Sequence, residues 1–346
     1  MKVLVTGCCG VLGFNLVSWL LTKPGIEVRG FDIVELHNDL QGKLEFVRGD
    51  IENIAQVKSA CTGVDMIVHA ASASPAFSKE KIQAIVEQGT KNLLSVAADV
   101  QVQRFVYISS TAVYGIPDKM PMVEEDEIQP FHDPYNVAKA NAEAHCEKAR
   151  RNGLCVSILR PRTFLGPQRL GTFAMLFEWA SEGRNFPMLG CGRNRYQFLD
   201  VQDLCEAVYL TLSKPKSVVN DTFNIGAKDF GSMKETYQAV LDAAGFNKRI
   251  ISLPAKPILF ALDVLSALRL SPLYKRLYQK LNRDYYVSIE KAEKVLGFSP
   301  KYSNSETLVR SFYWYQRHQQ SISVGKGKGN NEPWNQGILK FGKVLF

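Results

Sequence analysis

Tyr135 and Lys139 stand four residues apart in Tyr-Asn-Val-Ala-Lys, at the start of a helical pattern running from Asn136 to Asn152. That spacing stacks two side chains on one helix face. An ammonium beside a phenol stabilises the phenolate and draws an ordinary pKa of about 10 toward the working range of a general base. Upstream lies Val106-Tyr107-Ile108-Ser109-Ser110-Thr111-Ala112-Val113-Tyr114-Gly115, an apolar strand ending in hydroxyls. Ser110, with Ser109 and Thr111 as alternatives, can donate to an oxygen being oxidised or reduced. Such a set suits proton transfer at a carbinol or ketone, and that chemistry needs a hydride carrier as well.

The place for a carrier is Thr6-Gly7-Cys8-Cys9-Gly10-Val11-Leu12-Gly13, between a first strand and a first helix. Gly7, Gly10 and Gly13 sit where backbone must approach a pyrophosphate closely at a helix N-terminus. Asp32 follows the second strand, nineteen residues after Gly13, where a carboxylate accepts hydrogen bonds from the adenosine ribose hydroxyls. It would meet a 2′-phosphate as a like charge, so the expected cofactor is NAD and not NADP. Asp50 and Ile51, after the third strand, are candidates to line the adenine.

These residues must be held by alternating strands and helices. Strands are expected at Lys2–Thr6, Glu27–Phe31, Leu44–Arg48, Met66–His69, Arg104–Ser109 and Cys155–Arg160, with helices at Gly13–Leu21, Ile82–Ala97 and Asn136–Asn152. Such βαβ units build an α/β fold, a doubly wound parallel sheet of the Rossmann type. The pattern is less regular after Pro167: a helix at Phe173–Glu182, a return toward the sheet near Tyr196–Val201 and Thr222–Ile225, then helices at Ser232–Ala244 and Lys256–Leu270. The expected organisation is a dinucleotide-binding domain over 1–167, its sheet completed by parts of 196–226. A smaller, discontinuous substrate domain follows from 168–195 and 227–318, then a flexible tail over 319–346 containing Gly-Lys-Gly-Lys-Gly-Asn-Asn.

With 346 residues, 46% hydrophobic and 22% charged, the chain falls in the range of folded globular proteins. The formal charge of +8 suits an anionic partner. Much of the excess is local, at Lys275, Arg276, Lys280 and Arg283 and at Lys326, Lys328, Lys340 and Lys343. No nucleic-acid signature accompanies it, and a small-molecule substrate is expected. Seven cysteines, Cys8, Cys9, Cys61, Cys146, Cys155, Cys191 and Cys205, show no paired spacing. That favours reduced thiols, a cytoplasmic location and no metal centre. Cys8 and Cys9 read as small residues of the glycine loop. MKVLVTG runs straight into a strand with no secretion leader, and Pro257–Leu270, broken by Asp263 and Arg269, is short for a membrane span.

Taken together, these residues resemble the extended short-chain dehydrogenases, the NAD-dependent epimerase/dehydratase superfamily. The likeness covers roughly residues 1–316: the glycine loop, Asp32, Gly49-Asp50, His69-Ala70-Ala71, Gly89-Thr90 with Asn92, Ser109 to Gly115, Tyr135 with Lys139, Arg160-Pro161, Gly166-Pro167, and Leu296-Gly297-Phe298 with Pro300. The resemblance implies that Ser110 is the catalytic hydroxyl, that Tyr135 is the base, and that Lys139 also holds the nicotinamide ribose. It further implies a homodimer through the helices that carry Tyr135 and Ile82.

Substrate positions depart from the family's pattern. Thr111-Ala112 replaces the Asp-Glu pair of the sugar-nucleotide dehydratases, which leaves no carboxylate for water elimination. Thr163 stands where sugar epimerases usually show Asn, Arg195 is one place away from their arginine, at Tyr196, and Val86 replaces a common Asn. Candidate substrate contacts are Thr111, Arg162, Thr163 and Arg195. Gly190-Cys191-Gly192-Arg193-Asn194 and the apolar Pro257–Leu270 segment are similar instead to the 3β-hydroxysteroid dehydrogenase branch, whose members handle apolar alcohols and ketones, often near membranes. The expected function is an NAD-dependent oxidoreductase or epimerase acting on a nucleotide sugar. The alternatives are a sterol-like or acyl-chain ketone, with peripheral membrane association, and a non-catalytic NAD-binding protein, which would have no use for an intact Ser110, Tyr135 and Lys139.

Overall fold

A computed structural model describes residues 1–116, 119–131, 133–255, 257 and 283–320. The first half alternates as read: β1 (Lys2–Thr6), α1 (Val11–Leu20), β2 (Glu27–Asp32), β3 (Glu45–Arg48), α2 (Ile54–Cys61) and β4 (Met66–His69). Then come α3 (Lys79–Ile82), a π turn (Gln83–Gln88), α4 (Gly89–Asp99), β5 (Arg104–Ile108), α5 (Pro134–Arg151) and β6 (Val156–Pro161). The second half adds β7 (Thr163–Leu165), α6 (Phe173–Ser181), β8 (Phe186–Leu189), β9 (Phe198–Asp200), α7 (Val201–Ser213), α8 (Lys216–Val219), β10 (Thr222–Ile225), α9 (Met233–Ala244), β11 (Ile250–Leu253) and α10 (Asn304–His318).

Seven parallel strands form the central sheet in the order β10-β6-β5-β4-β1-β2-β3. The order reverses between β1 and β4, and in open α/β sheets ligands bind beyond the carboxyl ends of the strands at that point. The two-residue period of a strand explains the layering. Val3, Val5, Val68 and Val106 face one core with Leu16 of α1 and Leu204 of α7. Leu4, Ile67 and Phe105 face another with Ile82, Ala142 of α5 and Val57 of α2. Phe177, Trp179, Phe186, Leu241 and Phe312 form a third core in the second half.

Three expectations change. The helix expected over Ile82–Ala97 is interrupted by the π turn. The segment near Tyr196–Val201 does not return to the central sheet: β9 pairs with β7 in a separate two-stranded sheet, because β10 already occupies the free edge of β6. Four helices of the structure, α2, α7, α8 and α10, were not expected from the pattern. Except for Pro257 and residues 319–320, the apolar segment Pro257–Leu270 and the expected tail over 319–346 lie outside the described residues, as does the basic run at 275–280. Among the described residues no helix is long and apolar enough to cross a membrane, and all seven thiols are free.

Candidate active site

The glycine loop joins β1 to α1. Gly7 has φ +71°, and a Cβ there would lie 2.6 Å from the backbone of Ala71. A Cβ on Gly13 would lie 2.0 Å from the Gly7 carbonyl oxygen, so the helix can approach the loop only without a side chain. Gly10, exposed, caps α1 with no side-chain hydrogen bond, and the first turn of that helix carries no acidic residue. Helix N–H groups left without a side-chain acceptor make an anion site. Asp32 closes one side of it: Oδ2 accepts from the Cys9 N–H at 2.9 Å and Oδ1 from the Val34 N–H at 3.2 Å. Each carboxylate oxygen keeps a second lone pair for a ribose hydroxyl. Loop and carboxylate thus fit a dinucleotide. Isothermal titration should show NAD bound at least about tenfold more tightly than NADP, a difference of about 1.4 kcal/mol; equal affinities would remove Asp32 from that role.

Asp50 and Ile51 are placed less openly. Asp50 accepts from the Glu52 N–H at 2.9 Å in a local turn. Ile51 is buried, and its side chain fills the space left by Gly89, where a Cβ would come within 2.7 Å of Ile51 Cγ2.

On the neighbouring strand tip, His69 is fully buried between two threonines: Nδ1 lies 2.7 Å from Thr6 Oγ1 and Nε2 lies 3.0 Å from Thr90 Oγ1. Thr90 Oγ1 donates to the Val86 carbonyl, so it accepts from His69 Nε2–H, and Nδ1 is the acceptor for Thr6. Burial, and next to it the charge of Lys139, push the imidazole down to about 3, so His69 is a neutral bracket between β1 and α4.

Asp133 caps α5 by accepting from the N–H groups of Tyr135 and Asn136, both at 3.1 Å, with Pro134 at the first turn. Tyr135 therefore sits in the first turn of the helix, half-buried, and Lys139 one turn below it. Lys139 is 2% exposed and donates to the Ile108 carbonyl at 2.7 Å, with the Tyr107 ring face 4.9 Å away. Burial brings its ammonium down to about 8, against the charge of Glu143, which holds it up. It is charged at neutral pH and tied to the end of β5, one residue before the hydroxyls.

Burial separates those hydroxyls. Ser109 is 3% exposed and donates to Glu143 Oε1. Thr111, equally buried, receives the Arg162 Nη1–H at 3.1 Å. Ser110 alone is half-exposed, and its Oγ accepts from the Ala112 N–H at 3.1 Å, which leaves its own O–H to give.

The family model described as NAD dependent epimerase/dehydratase family matches residues 3–226. The chain belongs to that family. It is an NAD-dependent enzyme of the extended short-chain dehydrogenase type. Among its relatives, the uncharacterized protein y4nG of Sinorhizobium fredii is 38% identical over 338 residues, 97% of this chain and 84% of that one. A sterol-4-alpha-carboxylate 3-dehydrogenase of Candida albicans is 29% identical over 87% of this chain and 93% of its own. In fold the chain is similar to the UDP-glucose 4-epimerase of Thermotoga maritima, solved with UDP-glucose, at a TM-score of 0.77 and 22% identity, over 92% of this chain and 100% of that one.

In this epimerase/dehydratase-family chain the four candidate substrate residues do not form one cluster of equals. Arg162 is 2% exposed, set against the rings of Tyr285 at 4.2 Å and Tyr196 at 4.9 Å. Its N–H groups go to Thr111 Oγ1, the Gln197 carbonyl and the Tyr285 carbonyl. Arg162 and Thr111 are thereby engaged inside the fold, with little to offer a diphosphate. Thr163 is half-buried with Oγ1 3.4 Å from Tyr196 Oη. Arg195 is exposed, its guanidinium against Phe230 at 4.9 Å and Tyr286 at 4.6 Å.

Two charged residues escaped the sequence reading. Glu143 is fully buried and grips Arg160, whose Nε lies 3.1 Å from each carboxylate oxygen and whose Nη2 lies 2.7 Å from Oε2. Its signal was present in the spacing, since 135, 139 and 143 continue one helix stripe. Arg169, half-buried, stacks at 5.3 Å on Phe164; burial brings it down to about 10, opposed by the Tyr135 phenol nearby. Nothing in the local pattern after Gly166-Pro167 marks it.

Proposed function

We propose that this enzyme oxidises and reduces a secondary alcohol carbon of a nucleotide sugar, as an epimerase or dehydrogenase, with Tyr135 as acid-base, Lys139 as its charge partner and Ser110 as the donor that orients the reacting oxygen. The observation that carries the reading is the buried Lys139, pinned to the end of β5 one helical turn from Tyr135. NAD, when bound, supplies the hydride acceptor. Tyr135 Oη takes the proton from the alcohol oxygen and returns it on reduction, while the Lys139 ammonium lowers the cost of the phenolate. Ser110 donates to the same oxygen, and the lone pair engaged by Ala112 N–H keeps its O–H turned outward.

For the substrate's anionic end, the accessible Arg195 is the group we assign. A diphosphate left unpaired in a cleft is costly, and a guanidinium held against two rings is a pre-organised partner for it. Arg195→Ala should then raise KM far more than it lowers kcat, and UDP should protect the wild type against thermal unfolding by mass action. A second reading, an apolar ketone, draws on the sterol dehydrogenase relative. A thermal-shift comparison of UDP and UDP-sugars with steroids and long-chain ketones, with NAD present, separates the two. No shift with any nucleotide would end the sugar reading.

We place the enzyme in the cytoplasm as a homodimer paired through α5 and the α3 to α4 helical run, which lie side by side. Light scattering of the purified chain should give twice its mass, and a monomer would refute the pairing.

A further inference from the structure

Adjacent cysteines in the turn of a dinucleotide loop place two soft ligands where only backbone is needed, and the fold adds a hard one. Cys8 points inward, into space that exists because Gly30 of β2 has no side chain: a Cβ there would lie 2.8 Å from Cys8 Sγ. Cys9 is half-buried on the other side of the turn, its Sγ 3.8 Å from Cys8 Sγ. Asp32, brought beside them by the β1–β2 pairing, is oriented by two N–H donors, one of them from Cys9 itself. One ligand atom from each of the three residues lies within 4.8 Å of the others. Among the described residues no other group of three metal-ligating side chains is this close.

The sulfur separation is the informative number. Two thiolates at about 2.3 Å from a tetrahedral zinc ion lie about 3.8 Å apart, the edge of the tetrahedron. The thiols already stand at that spacing. Two sulfurs and a single carboxylate favour a thiophilic cation over calcium or magnesium, which take oxygen donors.

We propose that Cys8, Cys9 and Asp32 form a three-ligand site for a thiophilic divalent cation of the zinc class, and that cation and dinucleotide exclude one another. The exclusion rests on the cofactor reading of Asp32 given above. A metal at the carboxylate uses one of the two lone pairs that the ribose hydroxyls need, and it sits in the turn the pyrophosphate must approach. Binding is coordination alone, two S–H protons leaving to solvent and no electron changing hands.

The test uses the full chain without an affinity tag, in a Cys191→Ser background that removes the exposed thiol. Cobalt(II), as a spectroscopic substitute for zinc, should produce a thiolate-to-metal charge-transfer band that saturates at one equivalent and is displaced by zinc. Cys9→Ser should abolish the band. Asp32→Asn, which keeps both thiols, should retain it and weaken cobalt binding. The apparent NAD dissociation constant, measured by calorimetry, should rise about tenfold when free zinc is ten times its own dissociation constant, and return when a chelator is added. In Cys9→Ser the NAD constant should no longer respond to zinc. Absence of the band, or its survival in Cys9→Ser, overturns the site. A band with an unmoved NAD constant overturns the exclusion. Failure of the metal-free protein to bind NAD at all sinks the cofactor reading separately, with the cobalt spectrum still deciding the metal site.

Discussion

Tyr135→Phe should fold, bind NAD as the wild type does and turn over at least about a hundredfold more slowly, the scale of a lost general acid-base. The reason lies in what the substitution spares. The cap of α5 is made by the backbone N–H groups of Tyr135 and Asn136 on Asp133, which phenylalanine leaves intact. The ring still packs on the core formed by α5 and the sheet, and only the oxygen is removed. Lys139 keeps its bond to Ile108 and its place. Turnover should fall with little change in KM, and calorimetry with NAD should be unaltered. A steady-state rate within a few-fold of wild type would remove Tyr135 from the mechanism.

Glu143→Leu should cost about 3–5 kcal/mol of folding stability, the range for breaking a buried ion pair from one side. The change leaves Arg160, 3% exposed, without the carboxylate that engages its Nε and Nη2, and takes the acceptor from Ser109. It also removes the charge that holds the Lys139 ammonium up against burial. The pKa of Lys139, already near 8, therefore drops, and the range of pH in which that lysine is cationic should end earlier on the alkaline side. The double variant Glu143→Leu with Arg160→Met should recover most of the stability, since replacing both partners by apolar groups avoids an unpaired buried charge. Denaturant unfolding of these two variants and of Arg160→Met alone reads this cycle directly. A loss below about 1 kcal/mol for Glu143→Leu, the surface-pair range, would contradict the buried network.

How far the amino-acid sequence reaches is clear from particular elements. Met66–His69 and Thr222–Ile225 coincide with β4 and β10, because short apolar runs with strand-forming residues carry their own signal. Gly7 and Gly13 were read as positions where backbone approaches a pyrophosphate, and the structure adds that a side chain at either would strike the backbone of Ala71 or Gly7. Tyr135 and Lys139 were legible because four residues along a helix always bring two side chains to one face. The local pattern left Ser109, Ser110 and Thr111 open, with Ser110 favoured by the resemblance alone, and the difference in their burial was not legible. It depends on Glu143, thirty-four residues from Ser109, and on Arg162, fifty-one from Thr111.

The same division separates Arg162 from Arg195, which look alike in sequence. One is enclosed by Tyr285 and Gln197, far along the chain; the other stands at the surface against Phe230 and Tyr286. Cys8 and Cys9 are neighbours in any conformation, but Asp32 joins them only because β2 pairs with β1. By itself the sequence determined what depends on spacing within one strand, turn or helix: the sheet's alternation, the glycine loop and the Tyr135–Lys139 stripe. Tertiary structure alone decided which hydroxyls and which guanidinium are enclosed, because burial and hydrogen-bond partners are set by contacts between segments that the chain keeps far apart.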